Sequence, residues 1–176
     1  DAIEGALRDL RFTMFTLAFF ALLLWAADRW GRQIKNLRVL DGRDGMAFGF
    51  AQAMALIPGV SRSGGTITAG LALGYTREAA ARYSFLLAIP AVLGSGVYQA
   101  AKSVGSFGEA GTPSLVATVI ATLVAFVVGY VVIIGFLKIV STYSYRPFVY
   151  YRYGLAAVVV VLLLTGVLEA DSGAHV

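Results

Sequence analysis

The sequence contains no cysteine, a single histidine and few charged residues. The absence of cysteine from all 176 residues excludes disulfides, thiolate metal sites and thiol nucleophiles. The one histidine, His175, lies one residue from the C-terminus, so no histidine base is available within the hydrophobic part of the chain. Charged residues make up only 14% of the sequence, and the net charge of +4 is modest. Nucleic acid is therefore not an expected partner.

Hydrophobic residues dominate what remains. They make up 59% of the chain, and the mean hydropathy is +0.78. This composition predicts an all-α integral membrane protein with a single membrane domain. Four stretches without a charged residue are apolar enough to cross a bilayer with a hydrocarbon core of about 30 Å: residues 12–27, 83–101, 114–137 and 153–168.

A fifth apolar stretch, residues 45–74, is broken near its middle by a turn at residues 58–66. Its two halves, 45–57 and 65–74, are each too short to span a bilayer as a helix, which needs about 20 residues. The stretch therefore forms either one kinked span or a pair of short helices that enters the membrane and returns on the same side. Glycines at regular helical spacing on both halves predict close packing of this pair against neighbouring helices.

The distribution of basic residues favours the re-entrant alternative. Loop 28–44 carries five basic residues and is placed in the cytoplasm by the positive-inside rule. If the broken stretch re-enters, the basic 138–152 connection also lies inside and the nearly uncharged 102–113 loop lies outside. If the stretch instead crosses the membrane once, the 138–152 connection lies outside and the 102–113 loop lies inside. The charges of loop 28–44 itself are interpreted only as determinants of topology.

The turn carries the most specific chemistry in the chain. Arg62 is the only charged residue between Gly45 and Thr76, and a cation at membrane depth is costly unless an anion accompanies it. The second short helix is predicted to begin near Gly65 or Thr66, and a helix N-terminus favours phosphate or carboxylate. The turn therefore predicts a phosphate cradle, with Ser61, Arg62, Ser63 and Thr66 as catalytic candidates and Gly64 and Gly65 as substrate-binding candidates. The alternative is a capped helix whose arginine bonds backbone carbonyls of the broken helices.

Two further polar positions lie close to this turn in the sequence. Gln52, six residues before Pro58, is a substrate-binding candidate that either faces the same cavity or forms a hydrogen bond between helices. Glu78 is placed to pair with Arg82, four residues further along the next helix, and the alternative is that Arg82 leans toward the cavity.

The motifs of this region resemble those of a known family. Gln52, the run Pro58-Gly59-Val60-Ser61-Arg62-Ser63-Gly64-Gly65-Thr66 and the run Tyr83-Ser84-Phe85-Leu86-Leu87-Ala88-Ile89-Pro90 are similar to bacterial undecaprenyl-diphosphate phosphatases, the bacitracin-resistance family. The resemblance implies hydrolysis of undecaprenyl diphosphate to undecaprenyl phosphate, which recycles the lipid carrier for peptidoglycan synthesis. It also implies a divalent cation, Mg²⁺ or Ca²⁺, and a multi-pass protein of the bacterial plasma membrane whose site faces the outer side.

The resemblance further implies a fold of two inverted repeats, in which residues 45–74 form the re-entrant pair of the second repeat. Family members carry an acidic motif and a histidine in an upstream re-entrant pair, and Glu4 and His175 do not match those positions. The chain thus resembles the C-terminal two-thirds of such an enzyme, and metal ligands are expected from the upstream segment, with none in this chain. The sequence leaves the oligomeric state open, a homodimer included.

A function of another class has the same architecture. Broken helices whose N-termini point at an anion also occur in secondary transporters, so the alternative is a prenyl-phosphate transporter or flippase that hydrolyses nothing. Cleavage of the phosphate bond separates the two functions.

Overall fold

The computed structural model describes residues 9–103 and 114–168, and these residues form six α-helices: α1 (Leu10–Trp30), α2 (Gly42–Ala53), α3 (Arg62–Ala72), α4 (Arg77–Ser103), α5 (Leu115–Thr142) and α6 (Arg146–Leu164). Two short 3-10 turns, Leu37–Val39 and Met54–Leu56, lie in the connections. The all-α fold class is confirmed. Glu4, His175 and almost all of the 102–113 loop lie outside the described residues.

Four of the helices, α1, α4, α5 and α6, are long and apolar enough to cross a membrane. They coincide with the four stretches chosen from hydropathy, although α6 begins at Arg146, seven residues before the predicted span. Pro147 stands in its first turn, where a missing amide hydrogen costs nothing. The tyrosines at positions 150, 151 and 153 therefore belong to the helix.

The short helices α2 and α3 pack against each other and run in opposite directions, as a re-entrant pair is expected to do, and that name is kept for them here. Asp44 lies in the first turn of α2, and it accepts a 2.6 Å hydrogen bond from the hydroxyl of Tyr75, which follows α3. The pair therefore enters and leaves at one end of the bundle, formed by residues 28–44, 73–77 and 143–146 and called here the basic end. The turn between α2 and α3 lies beside Thr16 of α1, about 18 Å along α1 from Asp28.

The core is built around α3, which packs against α1, α2 and α4. Leu71 is fully buried there, and Gly70 brings two other helices close. A Cβ atom on Gly70 would lie 2.7 Å from Cζ of Phe48 in α2 and 2.8 Å from Cβ of Ala80 in α4. The predicted packing role of the glycines is confirmed at this position, because no larger residue fits without displacing its neighbours.

Buried carboxylates connect the helices at the basic end. Asp28, which is 6% exposed, accepts a 2.6 Å hydrogen bond from Nε of Arg77 and a 3.2 Å bond from the backbone amide of Tyr145. These bonds join α1, α4 and the α5–α6 connection. The charges in loop 28–44 therefore also hold the fold together, which their interpretation as topology determinants did not anticipate.

Asp44 makes a second connection of this kind. Besides the bond from Tyr75, it forms a 3.0 Å ion pair with Lys35. The hydrogen bond from Tyr75 and the bond from Lys35 hold the pKa of Asp44 below its usual value. Burial and the nearby Asp44 carboxylate raise the pKa of Tyr75, so its hydroxyl keeps its proton and remains a donor.

Candidate functional site at the re-entrant turn

The backbone of the turn is held against α1 and requires a glycine. Gly59 has φ of +85°, and a Cβ atom there would collide with the hydroxyl of Thr16 and the carbonyl of Thr13. The hydroxyl of Thr16 donates a 2.6 Å hydrogen bond to the carbonyl of Pro58. These contacts satisfy a backbone group that lipid cannot hydrate and set the depth of the turn.

Helix α3 begins at Arg62, so the prediction that it begins near Gly65 or Thr66 is wrong by about one turn. Ser61 is the N-cap: its side-chain oxygen accepts a 3.2 Å hydrogen bond from the amide of Gly64, and its carbonyl accepts a 2.8 Å bond from the amide of Gly65. A serine N-cap accepts a hydrogen bond from a free amide of the first turn, so the helix begins directly after Ser61 although glycines follow. Among the described residues, the amides of Arg62 and Ser63 have no hydrogen-bond partner.

A cavity of about 450 Å³ lies on the α1 and α6 side of this helix start. Its walls include Ser61, Ser63 and Gly64 from the turn and Arg152 from α6. The two serine hydroxyls are 3.3 Å apart, so both reach the same space. The cavity thus combines hydroxyl donors, a helix N-terminus and a guanidinium.

Arg152 is a functional candidate that the sequence reasoning missed. It is only 7% exposed, and its Nη2 donates a 3.0 Å hydrogen bond to the carbonyl of Gly59. Its Nη1 lies 2.7 Å from the position that a Cβ atom on Gly64 would occupy, so the absence of a side chain there admits the guanidinium. A buried arginine beside a helix N-terminus places two positive potentials together, which strongly favours an anion.

Arg62 points to the other side of the turn, into a cavity of about 700 Å³ between α4 and α5. Its side chain is exposed and has no hydrogen-bond or ion-pair partner in the described part of the chain. The described residues therefore contain no hydrogen bond from Arg62 to a backbone carbonyl of the broken helices, which was the alternative role for this arginine. Arg82 lines the same cavity, and its predicted pairing with Glu78 is confirmed at 2.9 Å.

Two of the sequence candidates lie behind the turn instead of in a cavity. Thr66 is fully buried, and its hydroxyl lies 2.6 Å from that of Ser84 in α4. Gln52 donates a 3.3 Å hydrogen bond from Nε2 to the carbonyl of Leu87, while its Oε1 is buried without a partner among the described residues. Of the two alternatives for Gln52, facing the cavity or forming a hydrogen bond between helices, the structure shows the hydrogen bond. Both side chains attach the re-entrant pair to α4.

No carboxylate lines either cavity, and the described residues hold no group of three acidic, histidine or cysteine side chains that fits a metal ion. The described residues therefore do not fit the divalent cation that the resemblance implies. What they supply at the turn is a set of anion-binding donors.

Comparison with known proteins identifies relatives along nearly the whole chain. A family model described as bacitracin resistance protein BacA matches residues 1–158. The chain is 59% identical over 170 residues to a protein named undecaprenyl-diphosphatase 2 in Agrobacterium fabrum. The matched region covers 97% of this chain and 60% of that protein.

Proteins named undecaprenyl-diphosphatase give similar matches in other bacteria. The identity is 58% over 170 residues in Paenarthrobacter aurescens, covering 97% of this chain and 61% of that protein. It is 56% over 172 residues in Bifidobacterium adolescentis, covering 96% of this chain and 58% of that protein. The chain thus spans about three fifths of the length of these relatives. The resemblance read from residues 52, 58–66 and 83–90 is confirmed, and none of these three relatives is named as a transporter.

Proposed function

The chain belongs to the bacitracin resistance protein BacA family, and from this premise we propose that the complete protein hydrolyses undecaprenyl diphosphate to undecaprenyl phosphate and inorganic phosphate. The observation that carries the proposal is the N-terminus of α3 within the bundle, flanked by Arg152 in the cavity on its α6 side and by Arg62 in the cavity on its α4 side. In the proposal the protein lies in the bacterial plasma membrane with this site reached from the outer side. The product returns to the lipid carrier pool for peptidoglycan synthesis.

The diphosphate is bound over the N-terminus of α3. The amides of Arg62 and Ser63 and the hydroxyls of Ser61 and Ser63 point to oxygens of the phosphate groups, as helix N-termini commonly do. Arg152 contributes its guanidinium from the α6 side, and Arg62 contributes its own from the α4 side. A planar guanidinium can hold two phosphate oxygens at once, which orients the group as well as binding it.

These donors also favour the reaction. In phosphoryl transfer the transition state spreads negative charge over the three equatorial oxygens of the transferred group. Donors that are already fixed by the fold stabilise this charge without reorganising, and they do so most strongly where water is excluded. Arg152 is fixed by its bond to Gly59, and Ser61 is fixed by the cap of α3. Gln52 and Thr66 act indirectly by holding the re-entrant pair in position against α4.

The divalent cation belongs to the proposal through the resemblance alone. When bound, Mg²⁺ or Ca²⁺ would neutralise charge on the diphosphate. The described residues provide no carboxylate at the turn to hold it, so its ligands and the base that activates water are proposed to lie in the upstream segment of the complete protein.

The test is release of inorganic phosphate from farnesyl diphosphate in detergent, with Mg²⁺ or Ca²⁺, by the complete protein whose reading frame contains this chain. We expect Arg62→Ala to lower kcat/KM by about 100-fold or more, because loss of one donor to a developing charge has an effect of this size. Arg62→Lys keeps the charge but loses the fork, and we expect it to remain strongly impaired. Arg152→Met should be similarly impaired.

Arg38→Ala is the matched control, since Arg38 is an exposed arginine of the basic end and does not line either cavity. Full turnover in Arg62→Lys would contradict the bidentate role. Absence of phosphate release from well-folded wild-type protein would contradict the hydrolase, and transport of a prenyl phosphate across vesicles would then be the next measurement.

A further inference from the structure

A polar cavity of about 340 Å³ lies at the basic end, where α1 finishes and α4 and α6 begin. Its walls include Trp25 and Arg29 of α1, Arg77 of α4 and Arg146 of α6. We propose that this cavity, called here the basic-end cavity, binds the phosphodiester headgroup of an anionic phospholipid from the leaflet at that end. It lies at the opposite end of α3 from the re-entrant turn, and the inference does not depend on hydrolysis.

One buried carboxylate gathers three arginines around the basic-end cavity. The Oδ1 atom of Asp28 accepts the 2.6 Å bond from Nε of Arg77, and its Oδ2 atom accepts the 3.2 Å bond from the amide of Tyr145. Arg29 directly follows Asp28 in the chain. Arg146 directly follows Tyr145, so the second bond holds it at the same junction. The fold thus brings three guanidinium groups from three helices to one cavity.

This cluster carries more positive charge than its own residues compensate. Asp28 is the only acidic side chain among the described residues that line the cavity, and both of its oxygens are occupied by the bonds to Arg77 and Tyr145. The side chains of Arg29 and Arg146 are exposed and have no hydrogen-bond or ion-pair partner in the described part of the chain. The lining therefore has a surplus of two positive charges, which an anion would offset.

The position of Arg146 strengthens the preference for an anion. Arg146 is the first residue of α6, a helix of 19 residues with no acidic residue in its first turn. A helix N-terminus carries a partial positive charge, so a second positive charge there is unfavourable and an anion is favourable. Ser144, just before this helix, also lines the cavity, and its hydroxyl has no partner among the described residues. It can donate to the same anion.

The level of the cavity in the bundle selects a lipid headgroup among possible anions. The cavity lies between the last turns of α1 and the first turns of α4 and α6, where helices long and apolar enough to cross a membrane have their ends. Trp25 packs edge to face against Trp30, with ring centroids 5.4 Å apart, and tryptophan is enriched at the membrane interface. Basic pockets between transmembrane helices at this level bind anionic headgroups. The acyl chains can stay in the bilayer while the phosphodiester contacts the arginines.

Arginines at helix ends also act simply as determinants of topology. That role does not require them to share a cavity or to be held around one buried carboxylate. It also treats all basic residues of the basic end alike. Arg38 is an exposed arginine of the same end that does not line the cavity, so it provides the comparison.

The test measures equilibrium binding of phosphatidylglycerol to the complete protein in neutral detergent, through quenching of tryptophan fluorescence by brominated acyl chains. Phosphatidylethanolamine with the same chains is the comparison lipid, because its phosphodiester is accompanied by an ammonium group that the arginines repel. We expect phosphatidylglycerol to bind more tightly by about tenfold or more, as charge-assisted hydrogen bonds to one phosphate predict. Equal affinities for the two lipids would overturn the proposal.

Substitutions of the unpaired arginines locate the bound headgroup. Arg29→Gln and Arg146→Gln change exposed side chains without a described partner, so thermal unfolding without lipid should match the wild type. We expect each to reduce the preference for phosphatidylglycerol by about fivefold, the factor typical of one basic residue at an anionic lipid surface. Arg146→Lys keeps the charge and should retain part of the preference. Arg38→Gln is the matched control and should leave the preference unchanged; a loss equal to that in Arg146→Gln would indicate diffuse surface charge and overturn the cavity as the site.

Two further measurements separate this site from other phosphate sites. The preference for phosphatidylglycerol should persist in Arg62→Ala, because Arg62 lies at the re-entrant turn. Its loss in Arg62→Ala and retention in Arg146→Gln would place the lipid at the turn and overturn the proposal. Inorganic phosphate at millimolar concentration should not displace phosphatidylglycerol, since it lacks the acyl chains that hold the headgroup at the interface. Displacement would assign the cavity to free phosphate and overturn the lipid.

Discussion

The buried pair of Asp28 and Arg77 predicts a large loss of stability from an almost isosteric change. In Asp28→Asn the shape of the side chain is kept, but the negative charge is lost. Asp28 accepts from Nε of Arg77 at 2.6 Å and from the amide of Tyr145 at 3.2 Å. An asparagine has one oxygen, and its NH₂ group would then face one of these two donors.

The size of the effect follows from burial. Breaking a fully buried pair on one side costs about 3–5 kcal/mol. The side chain of Asp28 is 6% exposed, but that of Arg77 is 30% exposed and regains water when its partner is lost. We therefore expect a loss of about 2–3 kcal/mol in the free energy of unfolding, close to that of hydrogen bonds to charged groups. For a chain of this size, it corresponds to a fall of about 5–10 °C in Tm.

The assay is thermal unfolding in detergent, followed by the fluorescence of the two tryptophans near this end of the bundle, Trp25 and Trp30. Glu78→Gln is the matched control because the Glu78–Arg82 pair is exposed on both sides, 45% and 56%, and such pairs contribute about 0–1 kcal/mol. A double-mutant cycle with Arg77→Gln isolates the interaction. If Asp28→Asn lowers Tm no more than Glu78→Gln does, the buried pair does not stabilise the bundle.

Two other changes test the packing and the charges of the same bundle. Because the pKa of Asp44 is lowered in the folded protein, this carboxylate stabilises the fold above its ordinary pKa of 3.8, and that stabilisation is lost as the pH falls through the lower folded pKa. Tyr75→Phe removes the main cause of the lowered pKa, so the fall in Tm between pH 7 and pH 3 should be smaller in this variant. An unchanged dependence of Tm on pH would contradict this. Gly70→Ala places a methyl group 2.7 Å from the ring of Phe48 and should lower the free energy of unfolding by about 1–3 kcal/mol. Gly49→Ala is the control: it has no described neighbour within 4 Å and should be neutral or stabilising by up to about 1 kcal/mol. Similar Tm values for both variants would refute the packing argument.

Hydropathy alone identified the four long helices, because the apolar stretches are long and uncharged. The short pair needed a second principle, the side on which basic residues lie, and the Asp44–Tyr75 hydrogen bond agrees with that choice. The start of α3 was predicted too late because Ser61 was considered only as a hydroxyl donor to phosphate, whereas its side chain caps the helix. Helix capping acts locally and outweighs weak propensities.

The site was only partly accessible to sequence reasoning. Arg62 was found because it interrupts an apolar stretch. Arg152 was missed because it lies among tyrosines at the edge of a span and was counted as a loop charge, although it follows the first turns of α6 and reaches the turn. Thr66 was selected by residue type, but whether its hydroxyl faces a cavity or Ser84 depends on the rotation of α3, which sequence spacing does not determine.

The two ends of the re-entrant pair emerge together at the basic end, and this has a consequence for how the pair is held. Because residues 42–75 begin and finish at the same end of the bundle, α4 starts at the end where α1 finishes, and the Asp28–Arg77 ion pair joins the two helices there. Helices α2 and α3, with 12 and 11 residues, are too short to be retained as spans by themselves. The pair therefore depends on its packing against α1 and α4 to stay in place, and the turn between the short helices keeps its shape only within the assembled bundle.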